Sequence, residues 1–408
     1  MDRLSANLDG TRPAYVVWEL TLRCDLACGH CGSRAGRPRE RELSVAEALE
    51  VAAQIADLGA REVTLMGGEA YLHEGWTDIV RALRGAGLAV TMTTAGRGMT
   101  PVRARLAADA GVQSVSVSID GLQPAHDTLR RVQGAFDSGV RALDNLREAG
   151  VPVCVNTQIN RLSLPDLDGL FDTVIAPRCH AWQVQLTFPM GGAADHPEWL
   201  LQPYDLLTVM PKLAELTERG RARGVRLWPG NNVGYFGPLE GLIRGSIRPG
   251  AYHSGCRAGR DILGIESDGG IKGCLSMTSG AYVGGNVRET SLRALYDGSP
   301  RVRYARERGT SDLWGFCADC YYAEDCRAGC IGTSHVLFGR PGNNPYCHHR
   351  ALELQKKGLR ERLVPLSFAP GRPFDHGVFD LVLEPFDSAE PPLSPNPAGS
   401  PLRCLPVV

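Results

Sequence analysis

The sequence has no long apolar run, and this absence sets the first limits on function. No stretch approaches the ~18 consecutive apolar residues of a membrane-spanning helix, and the first residues, MDRLSANLDG, lack the apolar core of a signal peptide. Neither sign of charge is in excess, since 44 Lys and Arg face 45 Asp and Glu. We therefore expect a cytoplasmic protein that binds neither membranes nor nucleic acid.

Cysteine, in contrast, is abundant. The 13 cysteines are an odd number without an export signal, which favours metal ligation over disulfides. Ten of them lie within residues 24–31 and 256–347. Cys154 stands apart in an apolar, strand-like run and is expected to be a small buried hydrophobic residue.

Residues 14–235 alternate between strand-like and helical stretches. The predicted strands cover residues 14–21, 62–66, 89–94, 114–119, 151–158 and 182–187, and the predicted helices 45–58, 77–84, 101–108, 138–149 and 165–174. Such units form a parallel sheet with right-handed crossovers. The sheet is either open and doubly wound or part of a barrel, and periodicity does not choose between them.

The rest of the chain has a different character. After an N-terminal extension (1–13) and the α/β unit (14–235), residues 236–350 form a connector and a Gly- and Cys-rich domain with short strands expected at 262–266 and 281–283. This composition makes a poor hydrophobic core, so bound metal is expected to add stability. Residues 351–408 are predicted to be a charged helix (351–363) followed by a disordered, proline-rich tail.

Three cysteines directly follow the first predicted strand, in the order Cys24-x3-Cys28-x2-Cys31. A zinc site needs a fourth ligand, for which His30 is a candidate. A [4Fe–4S] cluster needs only these three thiolates and leaves one iron open. The spacing favours the cluster but leaves zinc as an alternative.

Further motifs fall in register behind these cysteines. Gly67-Gly68-Glu69 follows the second predicted strand, and Ser118-Ile119-Asp120-Gly121 ends the fourth, with Arg130 and Gly134-Ala-Phe136 behind it. Together with the C-x3-C-x2-C segment, they resemble the signature of the radical S-adenosylmethionine (SAM) superfamily, in particular its peptide-maturing branch. The resemblance implies an α/β fold with a partial (β/α)6 TIM-type barrel, a [4Fe–4S] cluster and SAM, which is cleaved to a 5′-deoxyadenosyl radical.

The same resemblance implies roles for individual residues. Gly67, Gly68 and Glu69 would contact the amino group of SAM, and Ser118 and Arg130 its carboxylate. Thr94, after the third strand, is a weaker cofactor candidate, as are Thr93, Asn156 and Gln158. The chain departs from the family at Ala70, where proline is common, and at Arg131, where glycine is frequent, so which arginine reaches the cofactor stays open.

The second group of cysteines has an informative spacing. It reads Cys256-x12-Gly269-x4-Cys274, then Cys317-x2-Cys320-x5-Cys326-x3-Cys330, then Cys347. This pattern resembles the SPASM domain, which binds two auxiliary iron–sulfur clusters. The resemblance assigns Cys317, Cys320, Cys326 and Cys347 to an outer cluster, and Cys256, Cys274 and Cys330 to an inner one. No eighth cysteine lies in 257–273, so the inner cluster has an open iron, another ligand such as Asp261, or fewer irons.

The resemblance implies oxidative modification of a ribosomally synthesised precursor peptide by crosslinking, dehydrogenation or decarboxylation, with flavodoxin or ferredoxin as electron donor. The first strand begins near Ala14, so we expect the peptide leader to bind a separate recognition protein or the barrel itself. The alternatives are tailoring of a small molecule or tetrapyrrole side chain and, more remotely, a non-catalytic iron–sulfur electron carrier. The acid or base of the reaction is not ranked among His196, Asp195, Asn231, Asn232 and Tyr235.

Overall fold

The computed structural model describes residues 12–245 and 250–393. Most of the predicted N-terminal extension and the end of the predicted proline-rich tail (394–408) lie outside these residues. The main sheet has nine strands in the order β7-β6-β5-β4-β3-β2-β1-β8-β9, and β10 pairs with β11 in a separate hairpin. The strands are β1 Tyr15–Thr21, β2 Glu62–Gly67, β3 Ala89–Thr94, β4 Ser114–Ser118, β5 Val153–Ile159, β6 Ala181–Leu186, β7 Arg226–Pro229, β8 Ile262–Ile265, β9 Ile271–Lys272, β10 Leu359–Ser367 and β11 Val378–Pro385.

The helices follow the strands in alternation through the first part of the chain. They are α1 Val45–Leu58, α2 Trp76–Gly85, α3 Pro101–Ala110, α4 Gln123–Arg130, α5 Ala135–Glu148, α6 Leu167–Leu170, α7 Ala176–Arg178, α8 Leu206–Ala222, α9 Glu240–Gly245, α10 Ser279–Tyr282, α11 Leu292–Gly298, α12 Pro300–Glu307, α13 Ala323–Cys326, α14 Ile331–Phe338 and α15 His348–Lys356. In the described ranges, no helix has both the length and the apolar character needed to cross a lipid bilayer.

The order of the strands decides between the two sheet architectures. Strands β1 to β7 are parallel neighbours in chain order. Right-handed crossovers that always advance in one direction place all the helices on one face. An open doubly wound sheet would reverse its order at a switch point. The sheet is therefore that of a partial TIM-type barrel.

Local sequence explains where the predicted elements begin and end. Helix α1 begins after Ser44, whose side chain caps the amide of Glu47 while the Glu47 carboxylate bonds the amide of Ser44. It ends at Gly59, which has φ 86°, a left-handed conformation that costs glycine little. Along β5, buried and half-buried residues alternate, as expected for side chains that point to opposite faces.

The cysteine-rich domain is joined to the barrel by the sheet itself. Strand β8 pairs in parallel with β1, and β9 returns antiparallel to β8. The strand predicted at 262–266 is therefore confirmed, whereas 281–283 lies mostly in helix α10. Residues 281–283 do not form the strand next to β8, because Ile271–Lys272 already pairs antiparallel with β8 there. These two residues follow the turn at Gly269.

The C-terminal region differs most from its prediction. Helix α15 ends at Lys356, and the chain then forms the β10–β11 hairpin over residues predicted to be helical or disordered. Arg360 and Arg362 donate from Nε to the Glu384 carboxylate at 2.9 and 3.0 Å. These cross-strand ion pairs stabilise the hairpin. Arg360 and Arg362, whose charges suggested a surface helix, thus lie on a strand and pair with Glu384 across the hairpin.

Candidate functional site

The predicted site residues gather at the carboxyl ends of neighbouring strands. The loop that carries Cys24, Cys28 and Cys31, here called the cysteine loop, follows β1. Glu69 follows β2, and Thr94 and Ser118 are the last residues of β3 and β4. Because β1 to β4 are adjacent in the sheet, these groups share one edge, where β/α barrels place their active sites.

Each of the three thiols in the cysteine loop receives a hydrogen-bond donor. The amide of Leu26 donates to Cys24 Sγ at 3.4 Å, and that of Ala35 donates to Cys31 Sγ at 3.4 Å. Arg130 Nη1 donates to Cys28 Sγ at 3.5 Å. Donors of this kind stabilise thiolate sulfur, as in iron–sulfur sites.

The surroundings of two of these thiols raise their pKa. Burial raises the pKa of Cys24 well above its usual value, and the nearby Glu69 and Cys28 raise it further. Burial, with the neighbouring Cys31, raises the pKa of Cys28 to about 11, although Arg130 opposes this. A bound metal would hold these thiols as thiolates in spite of their raised pKa, because a coordinated thiol is deprotonated. Three thiols on one loop fit iron as such a metal.

The two glycines of the Gly-Gly-Glu turn hold the cysteine loop in place. A Cβ on Gly67 would lie 2.1 Å from the carbonyl oxygen of Thr21, and one on Gly68 would lie 2.0 Å from that of Arg23. The amide of Glu69 also donates to the Arg23 carbonyl at 2.8 Å. The close approach that glycine permits here is thus to the chain's own backbone, one residue before Cys24.

Glu69 is fully buried beside the cysteine loop. Its carboxylate accepts a hydrogen bond from Thr94 Oγ1 at 2.6 Å and from the amide of Ala95 at 2.7 Å. Burial, followed by the charge of Asp25, raises the pKa of Glu69 to about 8. Ligand atoms of Cys24, Asp25 and Glu69 lie within 4.8 Å of one another. This concentration of acidic groups fits a cationic ligand such as an ammonium.

Arg130 and Arg131 have different surroundings. Arg130 is buried, and its Nη2 donates to Asp120 Oδ2 at 2.5 Å and to the Ser118 carbonyl at 3.3 Å. Arg131 has φ 56°, a left-handed conformation that suits the glycine frequent in the family. Its Nη2 lies 2.7 Å from His196 Nε2, and its Nε lies beside Gly29 of the cysteine loop. Arg130, which donates to Cys28 Sγ, is therefore the arginine that forms a hydrogen bond to a cysteine of the loop.

His30 does not face the thiols. Its Nε2 lies 2.9 Å from Asp120 Oδ2, and its Nδ1 lies 3.2 Å from the Leu129 carbonyl oxygen. Both ring nitrogens are therefore engaged, so His30 is not the fourth ligand that the zinc alternative needs. Sequence reasoning missed Asp120 as the residue that joins His30 to Arg130, because its partners are distant in sequence.

Several buried polar atoms around the loop have no hydrogen-bond partner within the described residues. They are Asp25 Oδ1, Arg130 Nε and Asn156 Oδ1. Asn156 lies opposite Ser118 in the β4–β5 register. Buried polar atoms are normally satisfied, so these donors and acceptors fit a ligand with amino, carboxylate and hydroxyl groups.

Four of the five residues considered as acid or base contact other protein groups. Asp195 accepts two hydrogen bonds from the Arg34 guanidinium at 2.6 and 3.0 Å. The His196 ring stacks on Trp199 with 3.8 Å between ring centroids. Asn232 bonds the backbone of Leu186. Tyr235 donates its hydroxyl to the carbonyl of Asn231.

The second set of cysteines divides into two groups. After burial, the largest influence that raises the pKa of Cys256 is Cys330, and Cys274 also contributes. For Cys326 these influences are Cys347, Cys317 and Cys320. The cysteines that influence one another's pKa thus form a set of three and a set of four. Asp261 accepts hydrogen bonds from Arg257.

Residues 368–377 connect β10 to β11. This hairpin connection packs against the cysteine loop. Arg34 Nε donates to Asp375 Oδ1 at 2.8 Å, and the amide of Gly191 donates to the Asp375 carbonyl. Phe374 is buried in a cluster with Met190, Leu275 and Val336. The connection thus joins the cysteine loop, the barrel and the cysteine-rich domain, which sequence reasoning did not foresee.

We expect Phe374→Ala to lower the free energy of unfolding by about 3 kcal/mol, because it leaves a cavity where a buried ring was. Phe368→Ala, in the same connection, removes a ring that is 42% exposed and should change stability by no more than about 0.5 kcal/mol. Thermal unfolding of the iron-loaded protein measures both. Equal unfolding temperatures would contradict the packing role of Phe374.

Comparison with known proteins gives matches over both parts of the chain. The family model described as the radical SAM superfamily matches residues 18–162, and the SPASM model, an iron–sulfur cluster-binding domain, matches residues 256–321. The AdoMet-dependent heme synthase of Methanosarcina barkeri is 28% identical over 350 residues, covering 83% of this chain and 97% of that protein. The mycofactocin maturase MftC of Mycolicibacterium smegmatis is 30% identical over 347 residues, covering 82% of each.

A solved structure shares the fold. Streptococcus suis SuiB bound to S-adenosylmethionine superposes with a TM-score of 0.64 at 19% identity, covering 79% of this chain and 74% of that one. SuiB has also been solved bound to its precursor peptide SuiA, with a TM-score of 0.61 at 18% identity and coverage of 79% and 72%.

Proposed function

Since this chain belongs to the radical SAM superfamily and carries a SPASM domain, we propose that it oxidatively modifies a ribosomally made precursor peptide. Its radical SAM domain binds a [4Fe–4S] cluster and SAM, and its SPASM domain binds auxiliary iron–sulfur clusters. When bound, these groups supply a 5′-deoxyadenosyl radical and acceptors for the electron that the oxidised substrate gives up. The observation that carries the peptide assignment is the 30% identity to a maturase.

In this proposal, Cys24, Cys28 and Cys31 hold the SAM-binding cluster. The buried carboxylate of Glu69 accepts the amino group of SAM, with Thr94 fixing its orientation. Arg130 and Ser118 receive the SAM carboxylate. Asp120 supports this role, since it holds the guanidinium of Arg130 in place while Arg130 Nε is left with no partner among the described residues.

The two groups of thiols in the SPASM domain would hold the auxiliary clusters. We assign Cys317, Cys320, Cys326 and Cys347 to the outer one and Cys256, Cys274 and Cys330 to the inner one. The pairing of Asp261 with Arg257 favours an inner cluster without Asp261 as ligand. An electron donor such as flavodoxin or ferredoxin and a separate leader-recognition protein complete the partners of the proposal.

A second candidate function rests on a different relative. The heme synthase of M. barkeri is matched over 97% of its length, which supports oxidative tailoring of a tetrapyrrole side chain, for example by decarboxylation. Both candidates use the same radical site and differ in the substrate that enters it.

Anaerobic coexpression with candidate precursor peptides, each encoded by a short neighbouring open reading frame, tests the peptide assignment by mass spectrometry. A loss of about 2 Da indicates a crosslink or dehydrogenation, and a loss of about 46 Da indicates oxidative decarboxylation. The Cys24→Ala/Cys28→Ala/Cys31→Ala form is the control. If every candidate peptide kept its mass while the enzyme still consumed SAM, the peptide assignment would be wrong.

We expect Glu69→Gln to weaken SAM binding by about 10- to 100-fold, since a charge-assisted hydrogen bond to an ammonium contributes about 1.5–3 kcal/mol. Equilibrium dialysis of labelled SAM against the reconstituted protein measures this. Glu74→Gln, at an exposed position five residues away, should bind SAM as wild type does. Unchanged affinity in Glu69→Gln would exclude Glu69 as the amino-group ligand.

A further inference from the structure

The two faces of strand β6 show which side chains point into the barrel. Trp182 and Leu186 are buried, and the Trp182 ring stacks on Phe171, which follows α6 in the helical layer. Because successive side chains of a strand point to opposite faces, Gln183 and Gln185 project into the barrel. Both are only half-buried, so the barrel interior is accessible along β6.

The opposite side of the interior is already filled. Phe374 of the hairpin connection forms a buried cluster with Leu275 and Val336, and this cluster packs against Val17 on β1 and Met66 on β2. These contacts close the interior beside the first two strands with apolar groups. The space left for a substrate therefore lies along β4 to β7.

A row of polar residues crosses β4 to β6 at the level of Ser118. Asn156 lies opposite Ser118 in the β4–β5 register, and Gln183 lies opposite Asn156 in the β5–β6 register. Gln185 lies opposite Gln158, two residues closer to the carboxyl edge. Neighbouring strands are about 4.8 Å apart, so the backbone of Gln183 is roughly 10 Å from that of Ser118. A substrate bound at these glutamines would thus lie beside SAM.

The glutamine amides have hydrogen-bonding capacity to spare. The side chains of Gln158, Gln183 and Gln185 form no hydrogen bond within residues 12–245 and 250–393, and all three are half-buried rather than enclosed. Each amide offers N–H donors and a carbonyl acceptor, which is the complement of a peptide group. Trp228, opposite Gln183 in the β6–β7 register, is also half-buried and adds an aromatic surface.

The charge of this wall distinguishes two classes of substrate. Among the inward-facing residues of the described strands β3 to β7, the only charged one is Arg226. It begins β7, at the edge opposite the cysteine loop. Carboxylates are bound best by cations such as arginine. The wall therefore suits the neutral amides of a peptide better than the several carboxylates of a tetrapyrrole.

We propose that Gln183 and Gln185 bind main-chain amide groups of the substrate and hold the residue to be modified beside SAM. This inference rests on the proposed function, since it takes the substrate to be a peptide. Gln158 extends the amide wall across from Gln185, and Trp228 contacts a side chain of the peptide. The two glutamines thus determine which substrate fits the barrel and how it is placed.

The first test measures turnover by the iron-loaded enzyme of the precursor peptide that coexpression shows to be modified. Gln183→Leu and Gln185→Leu keep the size of the side chain and remove its amide, so each should lower kcat/KM by about tenfold. Gln355→Leu, at an exposed position on α15, is the matched control and should keep the wild-type value. If one barrel variant lost iron, the other would decide. Wild-type kcat/KM in the iron-replete barrel variants would overturn the inference.

Peptides in which one main-chain amide is replaced by an ester distinguish a direct contact from a structural effect. At the position that a glutamine contacts, the ester removes one N–H donor and should lower kcat/KM of the wild-type enzyme by about tenfold. In the leucine variant the same ester should cost much less, because the partner is already absent. Equal losses in wild type and in both variants, at every position, would overturn the inference while peptide modification still stood. Turnover of a tetrapyrrole and of no candidate peptide would instead refute the proposed function, and this inference with it.

Discussion

Replacing Cys24, Cys28 and Cys31 by alanine is expected to abolish SAM cleavage while most of the iron stays in the protein. The three thiols lie on one loop, and each sulfur receives a hydrogen bond of the kind that stabilises a thiolate ligand. The two SPASM groups of thiols are separate from this loop, so iron content should fall by about one third. Anaerobic reconstitution, iron analysis and chromatography of 5′-deoxyadenosine measure the outcome.

Cys154→Ala is the matched control for this variant. Cys154 lies on β5, where it is half-buried rather than buried as the sequence predicted, and its thiol donates to the Val115 carbonyl at 3.7 Å. We expect it to keep wild-type iron and SAM cleavage. A triple variant that still produced 5′-deoxyadenosine above the enzyme-free level would refute the assignment of the loop.

Gly68→Ala should disrupt the same site without removing any ligand. The new Cβ would lie 2.0 Å from the Arg23 carbonyl oxygen, whereas non-bonded heavy atoms prefer about 3.5 Å. The residue before Cys24 must therefore move. We expect a loss of about 3 kcal/mol in the free energy of unfolding, together with loss of iron from the cysteine loop and of SAM cleavage.

Gly85→Ala tests whether this effect is specific. Gly85 is the last residue of α2, and a Cβ there meets no atom within 4 Å, so we expect neutral or slightly higher stability. Thermal unfolding and iron analysis compare the two variants. If Gly68→Ala kept wild-type iron and activity, the glycine would not be needed for the close approach to Arg23.

The parts of the fold that were predicted from the sequence depend on local patterns. The predicted ends of strands β1 to β6 lie within two residues of the observed ends. They could be predicted because apolar residues alternate along these strands or continue through them, as their burial does. The motif of Cys24, Cys28 and Cys31 could likewise be recognised from residues that are neighbours in the sequence. Periodicity alone did not choose a barrel over an open sheet; the resemblance of the motifs implied the barrel, and the strand order confirms it.

The contacts that sequence reasoning missed are distant in the chain. Arg34 and Asp375 are 341 residues apart, and Arg34 and Asp195 are 161 apart. Phe374 lies in a segment whose proline content is typical of disorder, yet its ring is buried against residues of the barrel and the cysteine-rich domain. The energy of such a contact depends on partners that only the folded chain brings together.

Transfer of deuterium into 5′-deoxyadenosine tests the central claim most directly. The iron-loaded enzyme is incubated with SAM, reductant and either a deuterated candidate precursor peptide or a deuterated tetrapyrrole. We expect mass spectrometry to find deuterium in 5′-deoxyadenosine with the peptide and none with the tetrapyrrole. Unlabelled 5′-deoxyadenosine from the peptide, together with label from the tetrapyrrole, would contradict peptide modification, and no 5′-deoxyadenosine at all would contradict radical chemistry.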